Sequence, residues 1–272
     1  MGAASRPGWR AGDVGNVLFD LDGCLWFGRR LAPGAAEVVA SLRSRGYAVF
    51  FLTNASAATA DSLSERLSEM GIPAAAEEVM SPLSVAHRHP LLANGARAFA
   101  IGKAVVAQAL RAAGVEVVSD ADAAQTVVVG NSGDLRFADL TPALRALDRG
   151  ASLLALNLDL RVPTASGFTP GTGAIVAALE AAGGCKAEIV GKPTAFYFEQ
   201  ALQRFGIAAD DSVMVGDSPA TDVAGGRAAG MQTVLVGEAR PAGEAQQPDL
   251  QVAGLEALLE HLTGREELAR CS

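Results

Sequence analysis

Apolar residues gather into short unbroken runs along this chain: Val17–Phe19, Tyr47–Leu52, Ala98–Ile101, Thr126–Val129, Leu153–Leu156, Val213–Val215 and Thr233–Val236. Runs of this length, continuous rather than alternating and bounded by turn residues, suit parallel strands buried on both faces. Helices are predicted between them. Pro33–Arg45 opens on a proline and stops before Gly46, Thr59–Met70 stops before Gly71, and Lys103–Ala113 stops before Gly114, the usual asymmetry of helix starts and ends. Two more are expected, Thr194–Arg204 behind Pro193 and a terminal helix over Leu255–Leu262, whereas Gly237–Pro248 reads as a loop. This rhythm predicts an α/β fold with a Rossmann-like parallel sheet and right-handed crossovers.

At 272 residues the chain is long for one ordinary domain and short for two large ones, so one domain carrying an insertion is expected. Several runs end in polar residues that should share one sheet edge: Asp20, the pair Thr53 and Asn54, and Asp217. Sites in open parallel sheets form outside the carboxyl ends of the strands. The middle of the chain repeats the rhythm without comparable acids. The reading is therefore a core from 14–81 and 189–265, an inserted α/β domain over 82–188, and flexible tails at 1–13 and 266–272.

In Asp20-Leu21-Asp22-Gly23, extended backbone would point both carboxylates the same way, roughly 6–7 Å apart. Gly23 would permit a turn that brings backbone N–H groups toward an anion. A strand ending in an Asx turn has the same look. A second acidic set, Asp217 and Asp222 in Gly216-Asp217-Ser218-Pro219-Ala220-Thr221-Asp222, again follows an apolar run. Carboxylates converging from two strands repel by about 4 kcal/mol per pair at 4 Å and an effective dielectric near 20, so they need a cation among them. Oxygen ligands without His or Cys favour magnesium over zinc. Lys192, in Gly191-Lys192-Pro193, offers the cation a phosphate site needs, and Thr53-Asn54 offers a hydroxyl and an amide; a surface lysine and a helix cap are the plainer readings.

This ordered set, Asp-x-Asp-Gly, Thr-Asn, Gly-Lys-Pro and Gly-Asp-x-x-x-Thr-Asp, resembles the haloacid dehalogenase-like hydrolase superfamily. The long insertion is similar to that of phosphatases bearing an α/β cap. Asn157-Leu158-Asp159, with Pro170-Gly171-Thr172-Gly173, resembles the branch of the NagD-type, phosphoglycolate and glycerol-phosphate phosphatases. Asp22-Gly23-Cys24-Leu25-Trp26 carries Cys24 where that branch commonly has Val, and Ala55 stands where a second Asn is usual. The cap loop Gly130-Asn131-Ser132-Gly133-Asp134 lacks the acid that commonly follows its glycine closely.

The resemblance implies that Asp20 is nucleophile and metal ligand, forming an aspartyl-phosphate. It implies that Asp22 is general acid/base and gives its backbone carbonyl to Mg2+. Asp217 would be a further ligand with Asp222 beside it. Gly23, Thr53, Asn54 and Lys192 would hold phosphate. In the cap, Asn157, Asp159 and Arg161 are candidates for the leaving group because they follow the apolar run Leu153–Leu156 at a strand end; a turn stabilised by Asn and Asp is the other reading.

Composition narrows the partners. The net charge is -8, without a Lys/Arg cluster, which argues against nucleic acid, whose binding depends on neutralising phosphates. Three separated cysteines form no metal or CxxC spacing, and no apolar run approaches the roughly 20 residues of a membrane span. A small phosphorylated metabolite in the cytoplasm, no membrane partner, and a homodimer through the cap are the expectations. Glycerol phosphate, phosphoglycolate, nucleotides and sugar phosphates all stay open as substrates. Other readings are a phosphotransferase on the same intermediate and a non-catalytic small-ligand-binding protein on this fold; a carbon–halogen hydrolase is disfavoured by Asp22 and Asp217. His87 and His89 are expected at the surface, and Cys24 in an apolar slot beside the site.

Overall fold

The computed structural model describes residues 14–164 and 167–263. The tails expected at 1–13 and 266–272 lie outside them. The chain divides into two compact units, one built from residues up to Leu52, Ser64–Glu78 and Phe198 onward, the other from Thr53–Leu63 and Val79–Tyr197. The expected insertion, 82–188, falls wholly within the second unit, which is wider than it. Ser81 caps the helix Pro82–Val85 in a reciprocal capping box with Ser84.

In the first unit, strands run in the order Leu250–Val252, Gln232–Val236, Ser212–Gly216, Asn16–Asp20, Ala48–Leu52, each parallel to its neighbours. Asn16–Asp20 and Ser212–Gly216 are buried throughout, as unbroken apolar runs require. From Asn16–Asp20 the next strand of this sheet lies on one side, Ala48–Leu52, and Ser212–Gly216, Gln232–Val236 and Leu250–Val252 lie on the other. The order therefore reverses between Asn16–Asp20 and Ser212–Gly216, where α/β sheets place their sites. Phe19 pairs with Val215, so Asp20 and Asp217 leave adjacent strands at the same edge.

The predicted helix starts and stops agree within two residues with Ala35–Ser44, Ala60–Glu69, Ala104–Ala112, Ala195–Phe205 and Leu255–Thr263. The short strands and the hairpin Trp26–Phe27 with Arg30–Leu31 carry too few apolar residues to show as runs.

The second unit has its own parallel sheet, ordered Glu188–Ile189, Ser152–Ala155, Thr126–Val129, Arg97–Ile101, Glu116–Val117. Its core packs Val127, Val129 and Leu153 against Ile175, Val176 and Leu179 of the helix Thr172–Gly183. An antiparallel hairpin, Arg161–Thr164 with Gly167–Pro170, leads into that helix. No described helix is long and apolar enough to cross a membrane.

The histidines correct the surface expectation. Successive 3-10 turns, Ala86–Arg88 and Pro90–Leu92, fold the segment inward. His89 is buried with its ring edge-on to Phe196, and Nδ1 accepts from the Leu91 N–H. His87 Nδ1 is buried without a hydrogen-bond partner. Burial lowers both pKa values, with Arg88 adding to the effect at His87 and the nearby Glu188 carboxylate only partly opposing it at His89. The unfolded chain therefore takes up protons that the folded one refuses. Stability should fall as pH drops below about 6.5, the ordinary histidine value. His89→Asn keeps an acceptor for the Leu91 N–H and removes the titration. The fall in Tm between about pH 7.5 and 5.5 should shrink in this variant; an unchanged fall would place the acid sensitivity elsewhere.

Candidate active site

At the carboxyl edge of the first unit's sheet, Asp20, Asp217 and Asp222 each bring a carboxylate oxygen within 4.8 Å of the others. Asp20 and Asp222 are buried and Asp217 is half-buried. Asp222 reaches the cluster from a π-helical turn, Pro219–Val223. Ser218 caps that turn by accepting from the Thr221 N–H, and its own N–H donates to Asp222 Oδ2 at 3.1 Å.

Two glycines make room for the carboxylates. A Cβ on Gly216 would lie 2.2 Å from Asp222 Oδ2, and one on Gly23 would lie 2.3 Å from Asp217 Oδ2. Gly23 also has φ +96°, a left-handed conformation that side chains disfavour. Its N–H is committed to the Trp26 carbonyl at 2.8 Å, so within this turn its contribution is conformational. Asp22 is exposed and turns its carboxylate to Trp26, whose Nε1–H donates to Oδ1 at 2.8 Å. Cys24 is buried, with Sγ 3.8 Å from the Val215 carbonyl, in keeping with the slot expected for it.

The second unit assembles the other predicted set. Thr53 is buried, and its Oγ1 accepts from the Ala55 N–H at 3.0 Å. Its carbonyl, with that of Met80, accepts from the Tyr197 hydroxyl at 2.8 and 2.7 Å. Asn54 clasps the backbone of Lys192 from both sides. Its Oδ1 accepts from the Lys192 N–H at 2.9 Å and its Nδ2 donates to the Lys192 carbonyl at 3.2 Å. Lys192 is buried and is joined to Pro193 by a cis peptide. This clasp accounts for Asn54 beside Thr53 better than a helix cap does. Asn54→Ala leaves the buried Lys192 N–H without this partner, and denaturant melts should show a loss of about 1–3 kcal/mol. A stability within 0.5 kcal/mol of wild type, roughly the scatter of neutral surface changes, would mean that the clasp is dispensable.

Asn157 and Asp159 are drawn into the same loop system. Asn157 Nδ2 donates to the Asn54 carbonyl, its Oδ1 accepts from the Asp159 N–H at 3.1 Å, and Asp159 Oδ1 accepts from Asn54 Nδ2 at 3.4 Å. Gly171 and Gly173 approach so closely that a Cβ on either would lie 2.2 Å from a carbonyl oxygen of Asp159 or Leu158. Arg161 is exposed on its hairpin, with its guanidinium 4.7 Å from the centre of the exposed Phe168 ring. Sequence reasoning did not reach Tyr197, the Trp26 bond to Asp22 or the space-making role of Gly216. Only Gly216, directly before an acid at a strand end, left a sequence signal.

The model for haloacid dehalogenase-like hydrolases matches residues 17–116, and a second model, for HAD-hydrolase-like proteins, matches 189–258. Human glycerol-3-phosphate phosphatase is 34% identical, covering 86% of this chain and 82% of its own. A 5'-nucleotidase of Bacillus subtilis is 31% identical, covering 80% and 85% respectively. The glycerol phosphate phosphatase of Mycobacterium tuberculosis, solved in complex with magnesium, superposes with a TM-score of 0.83 at 32% identity, covering 92% of this chain and 78% of that one. With such relatives matched over most of their length, the chain belongs to the haloacid dehalogenase-like hydrolases, among the family's phosphatases.

Proposed function

We propose that the protein is a magnesium-dependent phosphatase of small phosphate monoesters, acting through an aspartyl-phosphate on Asp20. The three-carboxylate cluster at the switch point of the sheet carries this reading. Its donors are all oxygens, a set that suits magnesium, a hard cation. Asp20 and Asp217, with the Asp22 backbone carbonyl, would hold the ion, and Asp222 stands in the same cluster. Bound magnesium would offset the charge that builds on the phosphoryl oxygens.

Asp20 Oδ attacks phosphorus while Asp22 protonates the departing alcohol; Asp22 then takes a proton from the water that cleaves the acyl phosphate. Thr53, Asn54, Gly23 and Lys192 are proposed for phosphate binding, in line with the family pattern, Gly23 through the left-handed turn it permits rather than through its own N–H. Asn54 does so indirectly, through its clasp on the backbone of Lys192. For the cap, Asn157, Asp159 and Arg161 are the proposed contacts for the leaving group; Asn157 and Asp159 also bond the Asn54 loop, and Arg161 is exposed on its hairpin. A phosphotransferase would share this chemistry. Retention of Asp20, Asp22, Lys192 and Asp217 speaks for catalysis over ligand binding alone.

Excess EDTA should reduce turnover of phosphate monoesters to background and magnesium should restore it. Calcium should fail to do so, because its looser coordination disturbs in-line geometry. Full turnover in EDTA would overturn the metal requirement, and inactivity with magnesium across a panel of alkyl, aryl, sugar and nucleoside phosphates would overturn the phosphatase reading.

A further inference from the structure

We propose that Trp26 is the positioning residue for Asp22. Its indole N–H engages Oδ1, so that Oδ2 gives and takes the proton, and Arg66 locks the ring in place. The proposal rests on the assignment of Asp22 as general acid/base made above.

An exposed aspartate ordinarily samples several rotamers, each a loss to a reaction that needs one. Here the local chain removes that freedom. The Leu25 and Trp26 N–H groups both donate to the Leu21 carbonyl at 3.0 Å, and Gly23 N–H donates to the Trp26 carbonyl at 2.8 Å. This tight turn carries the indole back under the carboxylate, where Nε1–H donates to Oδ1 at 2.8 Å. The ring is fixed in its turn. Trp26 is fully buried, the Arg66 guanidinium lies 4.1 Å from its ring centre, and the same guanidinium donates to the Gly28 carbonyl of the adjoining hairpin. A cation over an indole face is held by the ring quadrupole.

An indole N–H can only donate, so Oδ1 is kept as an acceptor and the proton belongs on Oδ2. In the first step the Asp20 Oδ–P bond forms as the P–O bond to the alcohol breaks, and the Oδ2 proton moves to the departing oxygen. In the second, the water O–P bond forms as the Asp20 Oδ–P bond breaks, and Oδ2 takes the water proton.

The leaving group supplies the test. A nitrophenolate departs without a proton, whereas an alkoxide needs one. The quantity to read is kcat/KM, which extends only through phosphorylation of Asp20 and excludes the second step. Trp26→Phe should lower kcat/KM for glycerol phosphate at least about 10-fold more than for 4-nitrophenyl phosphate, a part of the roughly 10²- to 10⁴-fold that general acid catalysis supplies. Arg66→Gln should show the same bias at smaller size. Because Trp26 is buried, site-specific benzothienylalanine, which keeps the shape and replaces N–H with sulfur, separates a packing defect from loss of the donor. An equal fall on both esters, or no fall with the isostere, would overturn the proposal while leaving the phosphatase reading standing. A wild-type protein inactive on both would remove that reading itself.

Discussion

Asp20→Asn should abolish turnover while raising the melting temperature of the metal-free protein. A neutral amide is a poor nucleophile for phosphorus, and losing a covalent catalyst typically costs on the order of 10⁴-fold or more in kcat. The stability gain has a separate cause. Asp20, Asp217 and Asp222 place carboxylate oxygens within 4.8 Å of one another. At that spacing and an effective dielectric near 20, each ionised pair repels by roughly 3 kcal/mol before solvent screening. Removing one charge relieves two of three such pairs. Added magnesium should stabilise the wild type more than the variant, narrowing or reversing the gap. A folded Asp20→Asn protein with near wild-type kcat would reject the covalent route. A metal-free Tm below wild type would show that the cluster is not strained.

Gly216→Ala should raise the magnesium concentration for half-maximal activity about 10- to 100-fold, the scale seen when groups supporting metal ligands are altered. The new methyl would lie 2.2 Å from Asp222 Oδ2, far inside contact distance, so the Asp222 carboxylate must move. Asp222 is buried and tied to the Ser218 N–H, and it has little room in which to do so. Global stability should fall by about 1–3 kcal/mol, as for other overpacked sites. Activity titrated against magnesium separates the two effects, because a purely structural defect lowers the plateau and leaves the midpoint alone. An unchanged midpoint would show that Asp222 does not shape the metal site.

The parts of this molecule that were legible in the sequence are those whose physics is local. Buried parallel strands need unbroken apolar residues, so Asn16–Asp20 and Ser212–Gly216 were visible as runs, and the acids that follow them were visible as strand ends. Helix boundaries were marked by Pro193, Gly46 and Gly114, whose backbone preferences act over one or two residues. Contacts between residues distant in the chain left no such mark. The Tyr197 hydroxyl bridges two carbonyls more than 100 positions away, and the grip of Asn54 on Lys192 spans 138 positions. Asn157 and Asp159 follow a strand end, which the sequence shows, but their side chains bond the Asn54 loop, which it does not. His89 was misplaced for the same reason. Its burial comes from two 3-10 turns that fold the segment inward around it.

The discontinuity of the second unit bears on how that unit could be transplanted. Thr53–Leu63 belongs with Val79–Tyr197, and the seam between those stretches is dense with polar links. Asn157 bonds the Asn54 carbonyl, the Ser56 hydroxyl bonds both Thr172 Oγ1 at 2.7 Å and the Asn131 N–H at 3.1 Å, and Ser81 Oγ donates to the Ala58 carbonyl at 2.8 Å. A chimaera that exchanged only 82–188 with a relative would sever most of these links and strand buried hydroxyls and amides. The natural graft is a two-piece cassette that carries 53–63 together with 79–197, so Thr53, Asn54 and Lys192 would travel with the donor's loops, whereas Asp20, Asp217 and Asp222 would remain with the recipient.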